Sequence, residues 1–349
     1  MIETDALIVG AGPVGLFQVF ELGLLDIRAH VIDSLAAPGG QCAELYADKP
    51  IYDIPGLPLC SGQELTERLL RQIEPFGAQF HFGQEVSTVQ PQADGRFQVE
   101  THTGQRFLCK TLFIAAGVGS FRPRTLKVDG AAAHEGRQLH YRLQDTTPLA
   151  GQHLLVLGGD ASAVDAVLSL AAVEPALRAA QITLLHRRDQ LKAEADKLSA
   201  LRVLIDAGAV RFQVGQVTHL TATDGRLSSV QVIGSDGEMQ TLPCDQILAL
   251  LGLSPKLGPL ADWGLALERK QLVVDTERFQ TSVPGIFAVG DVNTYPGKRK
   301  LILCGFHEAT LAAFGAAAHL FPDQRIHLQY TTTSPQLQAR LGVAPATTD

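Results

Sequence analysis

Two glycine-rich segments constrain what this chain can fold into. The first reads Leu7-Ile8-Val9-Gly10-Ala11-Gly12-Pro13-Val14-Gly15. The second reads Leu155-Val156-Leu157-Gly158-Gly159-Asp160-Ala161-Ser162-Ala163. Each follows a short apolar run of the kind that forms a buried parallel strand. Each leads into helical spacing, over 14–25 and 161–173, and then into a second apolar run, Ala29–Asp33 and Ile182–His186. Strand, glycine turn, helix and strand make a βαβ unit. The glycine turn of such a unit is where a dinucleotide pyrophosphate is held. A length of 349 residues suits about two domains, one for each unit.

The expected fold is therefore α/β, with two Rossmann-like dinucleotide-binding domains. Lys110–Gly117 and Asp245–Gly252 are apolar strands that end in glycine, and they read as the points where the chain leaves one domain for the other. A late strand–glycine segment, Thr281–Asp291, closes the first domain. That domain is then discontinuous, 1–116 with 253–349, and 117–252 is inserted in it.

In the first loop Gly10 permits the tight turn. Gly12 lets a pyrophosphate approach the backbone, and Gly15 lets helix and strand pack closely. A helix that begins at Pro13 and Val14 points free N–H groups at phosphates. Asp33 ends the second strand, where a carboxylate accepts from both ribose hydroxyls and repels a 2′-phosphate. This loop suits FAD or NAD rather than NADP. Gly39-Gly40-Gln41 reads as a flexible turn with one amide to reach a flavin. Asp291, after Phe287-Ala288-Val289-Gly290, can hydrogen-bond a ribityl chain.

The second loop carries the opposite charge. His186-Arg187-Arg188-Asp189 stands where the first unit has Asp33. Guanidinium groups match phosphate oxygens bidentately, so this end suits the 2′-phosphate of NADPH, with Lys192 one turn later. Gly158, Gly159, Ala161 and Ser162 complete the loop. Asp160 replaces the second glycine of the fingerprint. A carboxylate about 4 Å from a phosphate costs roughly 1 kcal/mol in water and about 4 kcal/mol at an effective dielectric of 20. It can also cap the helix and occupy donors that a pyrophosphate needs.

Bulk properties exclude several classes. A net charge of −7 gives no basic footprint, so nucleic acid is not an expected partner. Cysteines 42, 60, 109, 244 and 304 form neither a CxxC nor a zinc knuckle. No metal is expected, and the odd count favours a reducing compartment. Residues 6–25 are largely apolar, but no basic segment precedes them and Gly-Ala-Gly-Pro interrupts them. Leu311–Leu320 is too short to span a bilayer. A soluble, cytoplasmic protein is the expectation, with 340–349 having little reason to be ordered.

The chain resembles the thioredoxin-reductase-like class of ferredoxin–NADP⁺ reductases over nearly its whole length. The segments that carry the resemblance are Gly39–Cys42, Glu44–Gly56, Gly117–Arg124, Leu139–Tyr141, His186–Asp189, Gly290–Asp291, Lys300–Ala309 and Tyr330–Ser334. Thioredoxin reductase itself is similar in plan but carries a redox CxxC just before its second glycine loop. Here Leu139–Asp145 has no cysteine, so a thiolate relay cannot run from that position.

The resemblance implies a fold of the thioredoxin reductase type, FAD in the first domain and NADPH in the second. It implies hydride transfer to or from FAD N5, single electrons to or from ferredoxin or flavodoxin, and a homodimer. No acid or base catalyst is implied. Gln41 and Tyr46 would lie at the flavin, with the Tyr46 ring stacked on one face. Val86 would meet the adenine, Phe121 would border the cofactor, and Thr332 would approach from the C-terminal tail. Tyr330 would cover the other face and move during turnover. An acidic ferredoxin would dock on Lys298, Arg299 and Lys300, or on Arg122, Arg124 and Lys127. Two alternatives stay open on the residues. One is an oxidase or reductase that uses a partner's cysteines. The other is an FAD protein with weak NADPH use that acts in redox regulation.

Overall fold

A computed structural model describes residues 1–142, 149–256 and 258–343; the side chains of Tyr46, 120–123 and 253–256 lie outside that description. The chain divides into two compact units, Met1–Ser120 with Pro255–Asp349, and Phe121–Ser254. Its helices include α1 (Pro13–Leu24), α2 (Gly40–Tyr46), α3 (Gly62–Ile73), α4 (Ala161–Ala171), α5 (Ala195–Asp206), α6 (Ile302–Leu320) and α7 (Pro335–Arg340).

The first unit is built on a seven-stranded sheet. Its centre is Ile2–Val9, flanked in parallel by Ala29–Ile32 and Arg106–Ile114. Arg106–Ile114 is shared along its length. Its first half pairs antiparallel with Phe97–Thr101, and Leu112–Ile114 pair parallel with Ile286–Ala288. The register therefore sets Ile32, Val9, Ile114 and Ala288 in one row at the carboxyl ends of four parallel strands. Segments far apart in sequence leave the sheet side by side there. The strand interiors are apolar because helices and strands cover them: Leu7, Ile8, Phe113 and Phe287 are fully buried.

The second unit repeats the plan on a five-stranded parallel sheet, ordered Leu139–His140, Gln246–Ala249, His153–Leu157, Gln181–His186 and Val210–Val214. A three-stranded antiparallel sheet of Gln216–Thr223, Arg226–Ile233 and Met239–Pro243 packs beside it. Leu157, Leu185 and Ala249 end in register, which brings Gly158, His186 and Leu250 to one edge.

Two expectations need correcting. Gly39-Gly40-Gln41 is not a loose turn. Gly39 adopts φ 115°, which a Cβ-bearing residue rarely does, and Gly40 opens α2. Nor is Arg340 loose: it ends α7, donates to the Leu24 carbonyl and pairs with Asp26 at 3.4 Å. Residues 344–349 lie outside the described residues. No helix among the described residues is long and apolar enough to cross a membrane.

Candidate functional site

In the first unit, glycines let the backbone converge at the carboxyl edge of the sheet. A Cβ on Gly10 would strike the Ala115 carbonyl, and one on Gly15 would strike the Gly10 carbonyl. Both positions are closed to side chains by main chain. Gly12 differs, since a Cβ there meets only the Gly40 Cα, at 3.9 Å. Pro13 and Val14 open α1, whose N-terminus has no side-chain cap; α2 has none either. Two uncapped helix starts thus lie close together at Gly12 and Gly40, joined by a 2.8 Å bond from the Gly39 N–H to the Ala11 carbonyl. Free N–H groups and helix dipoles of this kind favour an anion.

Asp33 follows the neighbouring strand and is buried. Its carboxylate accepts from the Ala11 N–H at 2.6 Å and the Leu35 N–H at 2.8 Å. Burial pushes its carboxyl above the ordinary value; the two backbone donors oppose this and Glu44 adds to it. Each carboxylate oxygen keeps a lone pair after these bonds. Main-chain bonds tie Asp33 to His81 and Gln84, on the segment leading to Val86. The Val86 side chain is buried in the core, so only its main chain is left to meet a ligand. The Gln41 amide lies over Gly117, where a Cβ would meet its Nε2 at 3.1 Å.

The late segment arrives through Ile286–Ala288. A short 3₁₀ turn, Gly290–Val292, follows it, and α6 packs against that turn. Asp291 is half-buried. Burial pushes its carboxyl up, opposed by Lys298 and Lys300, with Glu308 adding. Its carbonyl accepts from Gln271, but its carboxylate has no hydrogen-bond partner among the described residues.

Beside it lies a cluster that sequence reasoning missed. Glu308 on α6 is fully buried. It accepts from the Gly290 N–H at 2.7 Å, Asn293 Nδ2 at 2.9 Å, the Tyr295 hydroxyl at 2.9 Å and Lys298 Nζ at 2.5 Å. One signal was available. Glu308 is the single Asp, Glu, Lys or Arg in the 19 residues of α6, and a charge buried in an apolar helix requires a partner. The cluster also removes Lys298 from any docking patch, because its side chain is 7% exposed and bonded inward. Arg299, Lys300, Arg124 and Lys127 are exposed; the Arg122 side chain lies outside the described residues.

Tyr46 ends α2 and Phe121 lies on a described strand, but both side chains lie outside the described residues. Tyr330 is 65% exposed and Thr332 is exposed. No hydrogen bond or ring contact joins either side chain to the first loop among the described residues. The tail they belong to is folded: Gln338 donates to the Thr331 and Thr332 carbonyls, and Arg340 fastens α7 to the end of α1.

In the second unit a Cβ on Gly158 would meet the Leu250 carbonyl at 2.6 Å and the Ala163 Cβ at 2.7 Å. One on Gly159 would enter the His186 ring, and the Gly159 carbonyl accepts from the Lys192 N–H at 2.8 Å. The loop, His186 and Lys192 thus form one edge. Burial holds the His186 imidazole below its ordinary pKa; Arg187 and Arg188 add to this, and Asp160 opposes it. Arg187, Arg188 and Lys192 are exposed, and none has an acidic partner among the described residues. Asp160 takes the N-cap position of α4 by backbone, ahead of Ala161, without capping through its side chain. Its carboxylate instead accepts from the Ser162 hydroxyl at 2.7 Å. The side-chain cap that the sequence allowed does not form, and the α4 N-terminal donors stay free of the carboxylate.

All five cysteines are free. Burial pushes the Cys42 thiol up to about 11, and the Cys109 and Cys244 thiols up to about 12. Thiols this hard to ionise are poor relays. No group of three or more His, Cys, Asp or Glu able to hold a metal occurs among the described residues.

Residues 4–311 match the model of the pyridine nucleotide-disulphide oxidoreductase family. A ferredoxin–NADP reductase from Methylibium petroleiphilum is 62% identical over 98% of this chain and 93% of its own length. One from a Polaromonas species is 60% identical over the same shares. Among solved structures, the thioredoxin reductase of Lactococcus lactis aligns with a TM-score of 0.61 at 24% identity, over 91% of this chain and 99% of its own. The bacillithiol disulfide reductase of Staphylococcus aureus gives 0.64 at 18%, over 93% and 100%. These last two speak for the fold alone, a thioredoxin-reductase-like pair of Rossmann-like domains. With both loops on such a fold and near full-length identity to those relatives, the chain belongs to the pyridine nucleotide-disulphide oxidoreductases, in their ferredoxin–NADP reductase branch.

Proposed function

We propose that this chain is an FAD-dependent ferredoxin–NADP reductase, in which the first unit holds FAD and the second holds NADPH. The observation that carries the reading is the contrast between the two loop edges. The first ends in the acid Asp33, the second in Arg187 and Arg188, which lack acidic partners among the described residues.

The first site fits FAD. Gly12 leaves room beside two uncapped helix ends for a pyrophosphate, Asp33 keeps lone pairs for a ribose, and the Asp291 carboxylate awaits donors such as ribityl hydroxyls. Gln41, above Gly117, and Tyr46 then lie at the ring system, with Val86 at the adenine, Phe121 at the border, and Tyr330 and Thr332 on the tail. Bound FAD supplies the exchange of a hydride at N5 for two single electrons. The protein supplies position and electrostatics, and no side chain is required as acid or base.

The second site fits NADPH through Gly158, Gly159, Ala161 and Ser162 at the pyrophosphate, and His186, Arg187, Arg188 and Lys192 at the 2′-phosphate. Asp160 is the misfit. It is exposed, so its repulsion is of the aqueous order, about 1 kcal/mol. Asp160→Gly should lower the Michaelis constant for NADPH about five-fold, matching that energy. An unchanged constant in steady-state kinetics would remove Asp160 from the account.

We infer further that the protein is a cytoplasmic homodimer and that flavodoxin can replace ferredoxin. Unpaired, buried thiols suit a reducing compartment. With Lys298 withdrawn, Arg299 and Lys300 are the exposed cations left beside the flavin end. Reversing both charges should raise the ferredoxin Michaelis constant about ten-fold and flatten its salt dependence. No change in either would move the docking surface elsewhere.

The decisive experiment is anaerobic mixing with NADPH, followed by turnover with ferredoxin, flavodoxin and a disulfide offered in parallel. Prompt bleaching of the flavin and turnover with ferredoxin support the proposal. Bleaching with turnover only on the disulfide favours a disulfide reductase. No bleaching favours a regulatory flavoprotein.

A further inference from the structure

The buried pair Lys298–Glu308 holds both sides of one residue. Glu308 takes the Gly290 N–H at 2.7 Å, and Lys298 Nζ donates to the Gly290 carbonyl at 2.8 Å. That carbonyl belongs to the peptide joining Gly290 to Asp291, so the ammonium is bonded to the peptide group that carries the Asp291 nitrogen. The pair is almost wholly removed from water, with side-chain exposures of 7% and 0%. Asn293 and Tyr295 fill the remaining acceptor sites of Glu308. Stability alone does not call for such a pair, because apolar residues of similar volume often serve as well. Its effect is to be sought in what it holds.

What it holds in place is a lysine beside an acid that has no partner. Lys298 is among the charges acting on Asp291, whose carboxylate has no hydrogen bond among the described residues. If Glu308 did not take the ammonium, Asp291 would be the acid left to it. We propose that Glu308 is a positioning residue for cofactor binding: by anchoring Lys298 it keeps the Asp291 carboxylate without a counter-ion, open to the hydroxyl groups of a ribityl chain. This rests on the reading that Asp291 faces the flavin. Asn293 and Tyr295 tie the Glu308 carboxylate to the turn, so the anchor and the Gly290 backbone are fixed together.

The test is FAD affinity of the full-length holoprotein, read from the fluorescence of flavin released on dilution. D291N and E308Q should each weaken FAD binding about ten-fold, within the range of couplings between contacting groups. Because the effect of Glu308 passes through Asp291, D291N/E308Q should be no weaker than D291N within about threefold. Adding K298M to E308Q should restore affinity, since the ammonium that E308Q releases is gone while Lys300 acts on Asp291 as it does in the wild type. Multiplying losses in D291N/E308Q would overturn the proposal and reduce Glu308 to a packing role. Unchanged affinity in D291N would instead overturn the placement of Asp291 at the flavin, and the proposal with it. Removing one partner of a buried pair is strongly destabilising, so E308Q can fail to fold. E308Q/K298M, which leaves neither charge unpaired, then decides. Affinity near wild type supports the anchor, whereas a tenfold loss overturns it, because the ammonium would then serve the flavin directly (tenfold is about 1.4 kcal/mol).

Discussion

Replacing Arg187 and Arg188 together by alanine should lower kcat/KM for NADPH about 100-fold while leaving NADH within about threefold, because each charged hydrogen bond is worth roughly tenfold or more. The two side chains follow His186, the last residue of its strand, and this strand end is where a Rossmann unit meets the adenosine ribose. They are exposed and have no acidic partner among the described residues, so their removal breaks no ion pair identified there. Little stability should be lost, and the whole effect should appear in nucleotide choice. The measurement is steady-state kinetics with each nucleotide at fixed ionic strength. A proportional loss with NADH would show that the arginines hold the pyrophosphate rather than the 2′-phosphate. Retained discrimination would place the phosphate elsewhere, with Lys192 the next candidate.

The place of those arginines at a strand end was legible in the sequence because it is set locally. A strand is recognised by its apolar run, the residue after it by its charge, and the two βαβ units set that charge on a known edge. Asp33 and the glycines of the first loop were readable for the same reason. Three features were not. The helix that begins at Gly40 is hidden because two glycines read as a loose turn. Only the fold shows Gly39 at φ 115° bonded to Ala11. Lys298 looks like its neighbours Arg299 and Lys300, and nothing within that run says that one of three cations turns inward to Glu308. Arg340 finds Leu24 across 316 residues of chain, and Asp26 beside it, contacts that no local pattern encodes. Asp160 marks the boundary between the two cases. Its position at the start of α4 was readable, but its preference for the Ser162 hydroxyl over the helix N–H groups was not, because two local bonds of similar worth compete.

Gly15→Ala should yield a protein with less than about one tenth of its FAD and a melting temperature lowered by roughly 6–12 °C. A Cβ at this position runs into the carbonyl oxygen of Gly10 and comes within 3.0 Å of its carbonyl carbon, with the Ala115 Cβ at 3.4 Å behind. Overpacking that side chains can absorb costs about 1–3 kcal/mol. Here the obstacle is main chain in a turn pinned to the Ile32 and Ala115 backbones, so the upper end applies. At about 2–4 °C per kcal/mol for a domain of 150–250 residues, this gives the stated shift. Relief requires α1 to lift away from the sheet, and its uncapped N-terminus, which is the proposed pyrophosphate position, lifts with it. Gly12→Ala separates the two consequences. Gly12 has φ −72°, open to any residue, and its Cβ would meet only the Gly40 Cα at 3.9 Å. The flavin-free protein should melt as wild type does, yet FAD should be lost, because the methyl occupies the approach to the helix ends. Flavin absorbance per protein and thermal unfolding of the flavin-free forms read both effects. If Gly15→Ala keeps its FAD and its melting temperature, the close packing of α1 on the Gly10 turn does not govern the site. If Gly12→Ala keeps its FAD, the pyrophosphate lies away from the adjacent starts of α1 and α2.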